Sequence, residues 1–278
     1  MKIAISVESS ADFSKELLDK FQISTVPFTV FINGKDYLDG EISCDEIIES
    51  VNENKTLPKT GAINRERYEK YFSNLLKEND AVIHISLSSE LSSSCDNAIA
   101  VSKELKDVYV VDSHSLSTGI ALLALEAVRL KEEGKSPKEI VDYLEQIKFS
   151  VQASFILKRV DYLYKGGRCN ALVYLGANLL KIRPQILLKD GKMVSGKKYR
   201  GNFEHGVDAY CKDVLEEFNT PNLENVFLTY TTANPEVLET AKTHLIKAGF
   251  KNIYVTRAGA TITSHCGENC LGILYINK

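Results

Sequence analysis

The chain has 278 residues, 44% of them hydrophobic and 26% charged, and a formal net charge of −3. That length exceeds a usual single domain, so two are expected, with apolar material enough for two cores. The slightly negative balance excludes a general attraction to nucleic acid or anionic membranes, and no apolar run approaches the roughly 18 residues of a membrane span.

Lys2 to Val7 reads as a buried strand that runs straight into Glu8. Its apolar part is too short for a signal peptide. Ser9-Ser10-Ala11-Asp12 follows, then an amphipathic helix with Phe13, Leu17, Leu18 and Phe21 on one face. Val26 to Ile32, Asn33-Gly34 and Lys35 to Leu38 read as a hairpin, because Asn-Gly suits a type I′ turn. Ser43 caps a short helix to Val51. Pro58 to Asn64 reads as a loop, with Thr60 beside a permissive Gly61, entering a helix from Glu66 to Leu76.

Ala81, Val82, Ile83 and Ile85 form a second buried strand, and Asp96 to Leu105 take up helical spacing. Between them six serines fall in the nine positions 86 to 94. A strand that turns into a helix leaves free N–H groups and a positive dipole end, where an α/β fold holds an anion. One serine, Ser92 or Ser93, would be enough to cap the helix. The surplus points to a ligand site. Val108 to Val111 is a third strand, and Asp112 to Gly119 leads into a long apolar helix through Leu130. Capping and ligand contact are both open readings of Asp112 to Thr118. Pro137 starts another helix, to about Ile147. Strands alternating with helices in this way predict a mostly parallel sheet for residues 1–150.

Composition shifts after residue 150. Ala153 to Leu157 is a strand, Gly166-Gly167-Arg168 is a sharp bend, and Ala171 to Leu180 is helical. Gln185 to Lys189 and Lys192 to Lys198 form a second hairpin around Asp190-Gly191. A helix from Phe203 to Phe218, a strand Val226 to Tyr230, a helix after Pro235, and strands Asn252 to Thr256 and Leu271 to Ile276 complete a mixed sheet. The fold class is therefore α/β in two domains, 1–150 with a mostly parallel sheet and 151–278 with a mixed one.

Arg257 to Gly272 reads as a polar, glycine-containing loop before the last strand. His265 in it is either an ordinary surface histidine or a donor to a bound carboxylate, which a histidine can be in either ionisation state. Arg168 is suited to a planar anion, or is a solvated arginine at a helix stop. Lys181, Arg183, Lys189, Lys192, Lys197, Lys198 and Arg200 make a basic cluster, either a solvated hairpin face or a docking surface. Cys266 and Cys270 lie beside His265, but a zinc site would need a fourth ligand, so no metal is expected. The six scattered cysteines fit free thiols in a reducing cytoplasm. No Walker loop, G-x-G-x-x-G or H-E-x-x-H is present, and no cofactor is expected. A serine hydrolase using Ser92 or Ser93 with His265 is the rival reading, although no G-x-S-x-G elbow surrounds any serine.

The ordered set of motifs resembles the DegV family, the bacterial fatty-acid-binding proteins. Ser9-Ser10-Ala11-Asp12 resembles its S-S-A-D, Val26-Pro27-Phe28 its V-P-L, and Ser88 to Cys95 its S-S-x-L-S-G-T-Y. Pro58 to Asn64 falls where P-x-T-S-Q-P-S is expected, and Val111-Asp112-Ser113 resembles V-D-S. Tyr162 to Arg168 resembles Y-L-x-K-G-G-R, and Arg183-Pro184, Asp190-Gly191-Lys192 and Arg200-Gly201 resemble K-P, D-G-K and R-G. His265, Gly267 and Leu271-Gly272 resemble H-x-G-P-G-x-L-G. The resemblance implies a long-chain fatty acid buried between two α/β domains. Its carboxylate would be held by Thr60, Ser92 and His265, with Ser93, Gly61 and Ser9 as further contacts. It also implies a non-catalytic carrier, whose bound carboxylate a separate fatty acid kinase phosphorylates. Arg168 and Arg200 are the expected kinase contacts. The sequence departs from the family at Gly61 to Asn64, Ser93 to Cys95 and Glu268-Asn269, all beside the expected head-group site.

Overall fold

The computed structural model describes residues 1–169 and 182–278. The helix expected over Ala171 to Leu180, and Lys181 of the basic cluster, lie outside the described residues.

Strand β1 (Ile3–Glu8) is buried at every position. A 3-10 turn over Ser9–Ala11 follows, and Ser14 caps α1 (Lys15–Phe21) by accepting from the Leu17 N–H. β2 (Ile23–Val26) returns parallel to β1. The hairpin forms from β3 (Thr29–Ile32) and β4 (Lys35–Leu38), with Asn33 and Gly34 at φ 52° and 73° as a type I′ turn requires. Val26 ends β2 and does not join that hairpin, because Pro27 has no N–H to continue a ladder. α2 (Cys44–Asn54) begins with a capping box between Ser43 and Glu46. The expected loop over 58–64 contains a short strand, β5 (Lys59–Gly61), which pairs with β3 and makes a three-stranded sheet β4-β3-β5. Asn64 caps α3 (Arg65–Leu76). Then come β6 (Ala81–Ser86), α4 (Ser94–Ser102), β7 (Val108–Asp112), α5 (Thr118–Glu132) and α6 (Pro137–Ile147). The first large sheet runs β2-β1-β6-β7 with every pairing parallel. The chain winds both ways from β1, which places a topological switch between β1 and β6.

The second large sheet is mixed. It is built from β8 (Val151–Leu157), β9 (Ile182–Lys189), β10 (Lys192–Arg200), β11 (Pro221–Tyr230), β12 (Asn252–Arg257) and β13 (Cys270–Asn277). Helices α7 (Asp161–Lys165), α8 (Phe203–Glu217), α9 (Pro235–Ala248) and α10 (Ala260–Cys266) lie between these strands in the chain. The strand order is β10-β9-β8-β13-β11-β12, and only β11 with β12 is a parallel pair. Asp190 and Gly191 turn the second hairpin at φ 51° and 78°. α10 is a correction: residues 257–272 were expected to be loop throughout, and a two-turn helix occupies the middle.

Helix α5 joins the sheets. It is buried from Thr118 through Val128 and again at Leu130. It packs on β1 and β6 on one side and on β8, β11 and β13 on the other. A helix apolar all round is one that is covered all round. Ile5, Ile83 and Leu123 therefore share one apolar cluster with Phe155, Leu157 and Ile186. Each such buried side chain is worth roughly 1.5–3 kcal/mol.

Candidate functional site

The site grows from the carboxyl end of the parallel sheet. Glu8, the last residue of β1, is fully buried. It accepts from Tyr68 Oη at 2.8 Å, Ser86 Oγ at 2.5 Å and the Leu87 N–H at 2.7 Å, and His84 Nε2 lies 3.6 Å away. Burial pushes this carboxyl up. The nearby His84, with the bonds from Ser86 and Tyr68, outweighs that and holds it below the usual carboxylate range. Glu8 thereby anchors the start of the serine-rich turn. The remaining serines divide the work. Ser88 donates to the Gly191 carbonyl at 2.9 Å, and Ser94 Oγ accepts from the Ile63 N–H at 3.0 Å. Ser92 Oγ lies 3.1 Å from Ser94 Oγ and accepts from the Ser94 N–H. Ser93 stands at the N-cap position of α4, but its side chain makes no capping bond and is exposed. The Ser94 bond and one from Asn97 Nδ2 to the Ile63 carbonyl fasten the Thr60 segment to α4.

Thr60 stands opposite Val30 in the β5–β3 ladder. A Cβ on Gly61 would come within 2.8 Å of the Phe31 ring, so glycine lets β5 lie flat there. Opposite Thr60 stands α10, whose N-cap residue Gly259 brings no capping side chain. Distant carboxylates take that part. Asp12 accepts from the Gly259 N–H at 2.7 Å, and Asp39 accepts from the Ala260 and Thr261 N–H groups at 2.8 and 3.2 Å. At the other end of α10, His265 Nε2 is hydrogen-bonded to Thr60 Oγ1 at 2.8 Å.

Thr60, Ser92, Arg168 and His265 line one cavity of about 830 Å³, its mouth included. The walls are mostly carbon, with Phe28, Leu87, Leu91, Phe155, Ile262 and Leu274 prominent. Ser117, Ser154, Thr229 and Thr231 also line it, yet each hydroxyl has a protein partner. Thus they make little polar demand on a ligand. Burial, and then the nearby charge of Arg168, lower the His265 imidazole to about 4, so it is neutral near pH 7. Its Nδ1 has no partner among the described residues and faces Gly166, where a Cβ would come within 2.6 Å. Arg168 Nη1 donates to the Gly166 carbonyl at 2.7 Å.

The fold brings together the three expected head-group residues and adds Arg168, expected as a partner contact, to the cavity mouth. Gly61, Ser93 and Ser9 do not line the cavity. Ser9 instead donates to Asp39 at 2.9 Å and accepts from the Phe28 N–H. Arg200 is exposed at the end of β10, paired in register with Ile182. The tip of its hairpin is docked on the serine turn through Ser88 and through Lys192 to Glu90 at 3.4 Å. Among the described residues no group of three or more His, Cys, Asp or Glu can hold a metal ion, and no helix is long and apolar enough to cross a membrane. Sequence reading missed the walls contributed by β8, β11 and β13, and the caps Asp12 and Asp39. Alternation along Thr229 and Thr231 was the available sign for the former.

A family model described as an uncharacterised protein of the DegV family matches residues 2–278. A DegV domain-containing protein of Clostridium acetobutylicum is 30% identical over 281 residues, covering 100% of this chain and 99% of its own length. A solved DegV lipid-binding protein from Thermotoga maritima superposes with TM-score 0.88 at 28% identity, covering 100% of both chains. DegV from Bacillus subtilis, a fatty-acid-binding protein, superposes with TM-score 0.86 at 27% identity, again over 100% of both chains.

Proposed function

The chain belongs to the DegV family, and we propose that it is a carrier holding a long-chain fatty acid where its two domains, 1–150 and 151–278, meet. The observation that carries this reading is the apolar cavity bounded by the Thr60–His265 pair, Ser92 and Arg168. Thr60 and neutral His265 own two exchangeable hydrogens between them, and one is used in their mutual bond. Were it the threonine's, the free N–H would sit on Nδ1 against Gly166. With Nε2–H donating to Thr60, the threonine hydroxyl is free to donate to a carboxylate. The Arg168 charge, and the Ser92 hydroxyl once it turns from Ser94, complete an anion-accepting set. A hexadecanoyl tail buries about fifteen carbons at roughly 0.8 kcal/mol each, about 12 kcal/mol gross, from which ligand ordering subtracts substantially. His265 is bonded to Thr60 and Ser92 to Ser94, an arrangement that supports a carrier over a serine nucleophile with its base.

Denaturing extraction of recombinant protein, followed by mass spectrometry, tests the reading. A stoichiometric fatty acid is expected; a lipid-free protein that takes up no added fatty acid refutes it. The finer proposal is presentation to a fatty acid kinase, in which a phosphoryl group passes from ATP to the bound carboxylate oxygen and ADP leaves. The exposed Arg168 and Arg200 would meet an acidic partner, making the encounter salt-sensitive. Arg168 also lines the cavity, so Arg200→Ala isolates docking. Acyl-phosphate formation with the host kinase should slow for Arg200→Ala at unchanged lipid loading. Equal rates remove Arg200 from the docking surface.

A further inference from the structure

The carrier reading leaves one feature without a role, the pair of acidic side chains beneath α10, Asp12 buried and Asp39 half-buried. That helix is seven residues long, and helices so short are marginal on their own. Thr261, Ile262 and Thr263 are β-branched and disfavour helix further. Gly259 supplies no capping side chain, so the first turn depends on acceptors from elsewhere. Asp39 supplies two oxygens to the Ala260 and Thr261 N–H groups, and its Oδ2 is itself fixed by Ser9 Oγ. Ser9 is in turn held by the Phe28 N–H at 3.0 Å. Asp12 takes the Gly259 N–H at 2.7 Å and is gripped by Ser117 Oγ at 2.5 Å. Ala260 packs beneath the three-stranded sheet with Val30, Ile32, Ile42 and Ile47. The same sheet carries Thr60. One end of a two-turn helix is thus tied to the N-terminal part of the chain, and His265 stands at the other end.

We infer that Asp39 is a positioning residue for the ligand carboxylate: it fixes the first turn of α10 and so sets where His265 meets Thr60. This rests on the carrier reading. Asp39 does not line the cavity, so it acts through the helix and not by touching the ligand. A defect in positioning weakens recognition of the head group alone. Loss of general structure weakens binding of the whole chain.

The test compares palmitic acid with 1-hexadecanol on delipidated protein. Wild type is expected to prefer the acid. Asp39→Asn keeps one acceptor oxygen, and should reduce acid affinity about ten-fold while leaving the alcohol within about two-fold. Asp39→Ala should go further in the same direction, and Asp39→Asn carries the test if the alanine variant does not fold. In a His265→Ala background, Asp39→Asn should cost no additional acid preference, because the residue it positions is gone. An unchanged acid-to-alcohol ratio in Asp39→Asn, or an equal fall for both lipids, overturns the inference and leaves the carrier reading intact. Wild type that binds neither lipid removes both.

Discussion

A side chain on Gly166 would come within 2.6 Å of His265 Nδ1, yet the backbone there, at φ −69°, suits alanine. Gly166→Ala therefore tests the contact without backbone strain. The imidazole must shift from Thr60, and fatty-acid affinity is expected to fall about ten-fold, as measured by displacement of a fluorescent lipid; unchanged affinity would take His265 out of the head-group site. Two buried groups also set opposing pH slopes in the ligand-free protein. His265 titrates near 4 when folded and near 6.5 unfolded, so the unfolded chain binds more protons between those values and stability rises with pH there. Burial pushes Asp12 up to about 8 from 3.8, against the bonds from Ser117 and Gly259. The folded state then holds the extra proton, and stability falls as pH rises from 3.8 to 8. From pH 4 to 6.5 the slopes oppose each other, each at most about 1.4 kcal/mol per pH unit. Urea denaturation should find Asp12→Asn gaining stability with pH more steeply than wild type, and His265→Gln losing it. Thr60, Ser92 and His265 were legible because family-like motifs surround them. Asp12 was legible as part of a motif but not as a cap, since its partner Gly259 lies 247 positions away.

Both hairpins were readable because Asn33-Gly34 and Asp190-Gly191 are local signals that need no tertiary information. Their glycines differ in surroundings. Gly34 has nothing within 4 Å of where a Cβ would stand, whereas at Gly191 Ser88 Oγ would be 2.5 Å away. Gly34→Ala should cost about 1 kcal/mol, the ordinary penalty for a positive φ. Gly191→Ala should cost roughly 2–4 kcal/mol, because it also displaces the Ser88 contact that docks the hairpin on the serine turn. Paired urea midpoints decide it, and equal losses would mean the docking contact contributes nothing. Strand β5 and helix α10 escaped sequence reading for the opposite reason. Lys59-Thr60-Gly61 is three residues long and is a strand only because β3 lies beside it. α10 is a helix only because Asp12 and Asp39 cap it from afar.

For the molecule as a whole, α5 makes the two large sheets one thermodynamic object. Its apolar composition was plain in the sequence, but nothing in it said that both faces would be covered by different sheets. With one cluster spanning residues on either side of α5, thermal unfolding should occur in a single transition. A ligand at one hundred times its dissociation constant adds about 2.7 kcal/mol, which for a chain of this size raises Tm by about 5 °C. Calorimetry of delipidated protein with and without palmitic acid would reveal either this rise or two separable transitions, the latter incompatible with a shared core.

The ties that complete the site join the first sixty residues to the last twenty-two. Asp45 pairs with Arg257, Asp12 and Asp39 hold residues 259–261, and Thr60 bonds His265, across 205 to 247 positions of sequence. At a synthesis rate of roughly 5–20 residues per second, about 12–50 s separate the emergence of Asp12 from that of its partner. For most of that interval, once residue 94 has emerged, the nascent chain has its serine turn and Thr60 but lacks His265 to finish the head-group pocket. On the carrier reading, the head-group pocket is completed only after His265 has emerged, and a chain truncated before residue 259 lacks both α10 and that histidine.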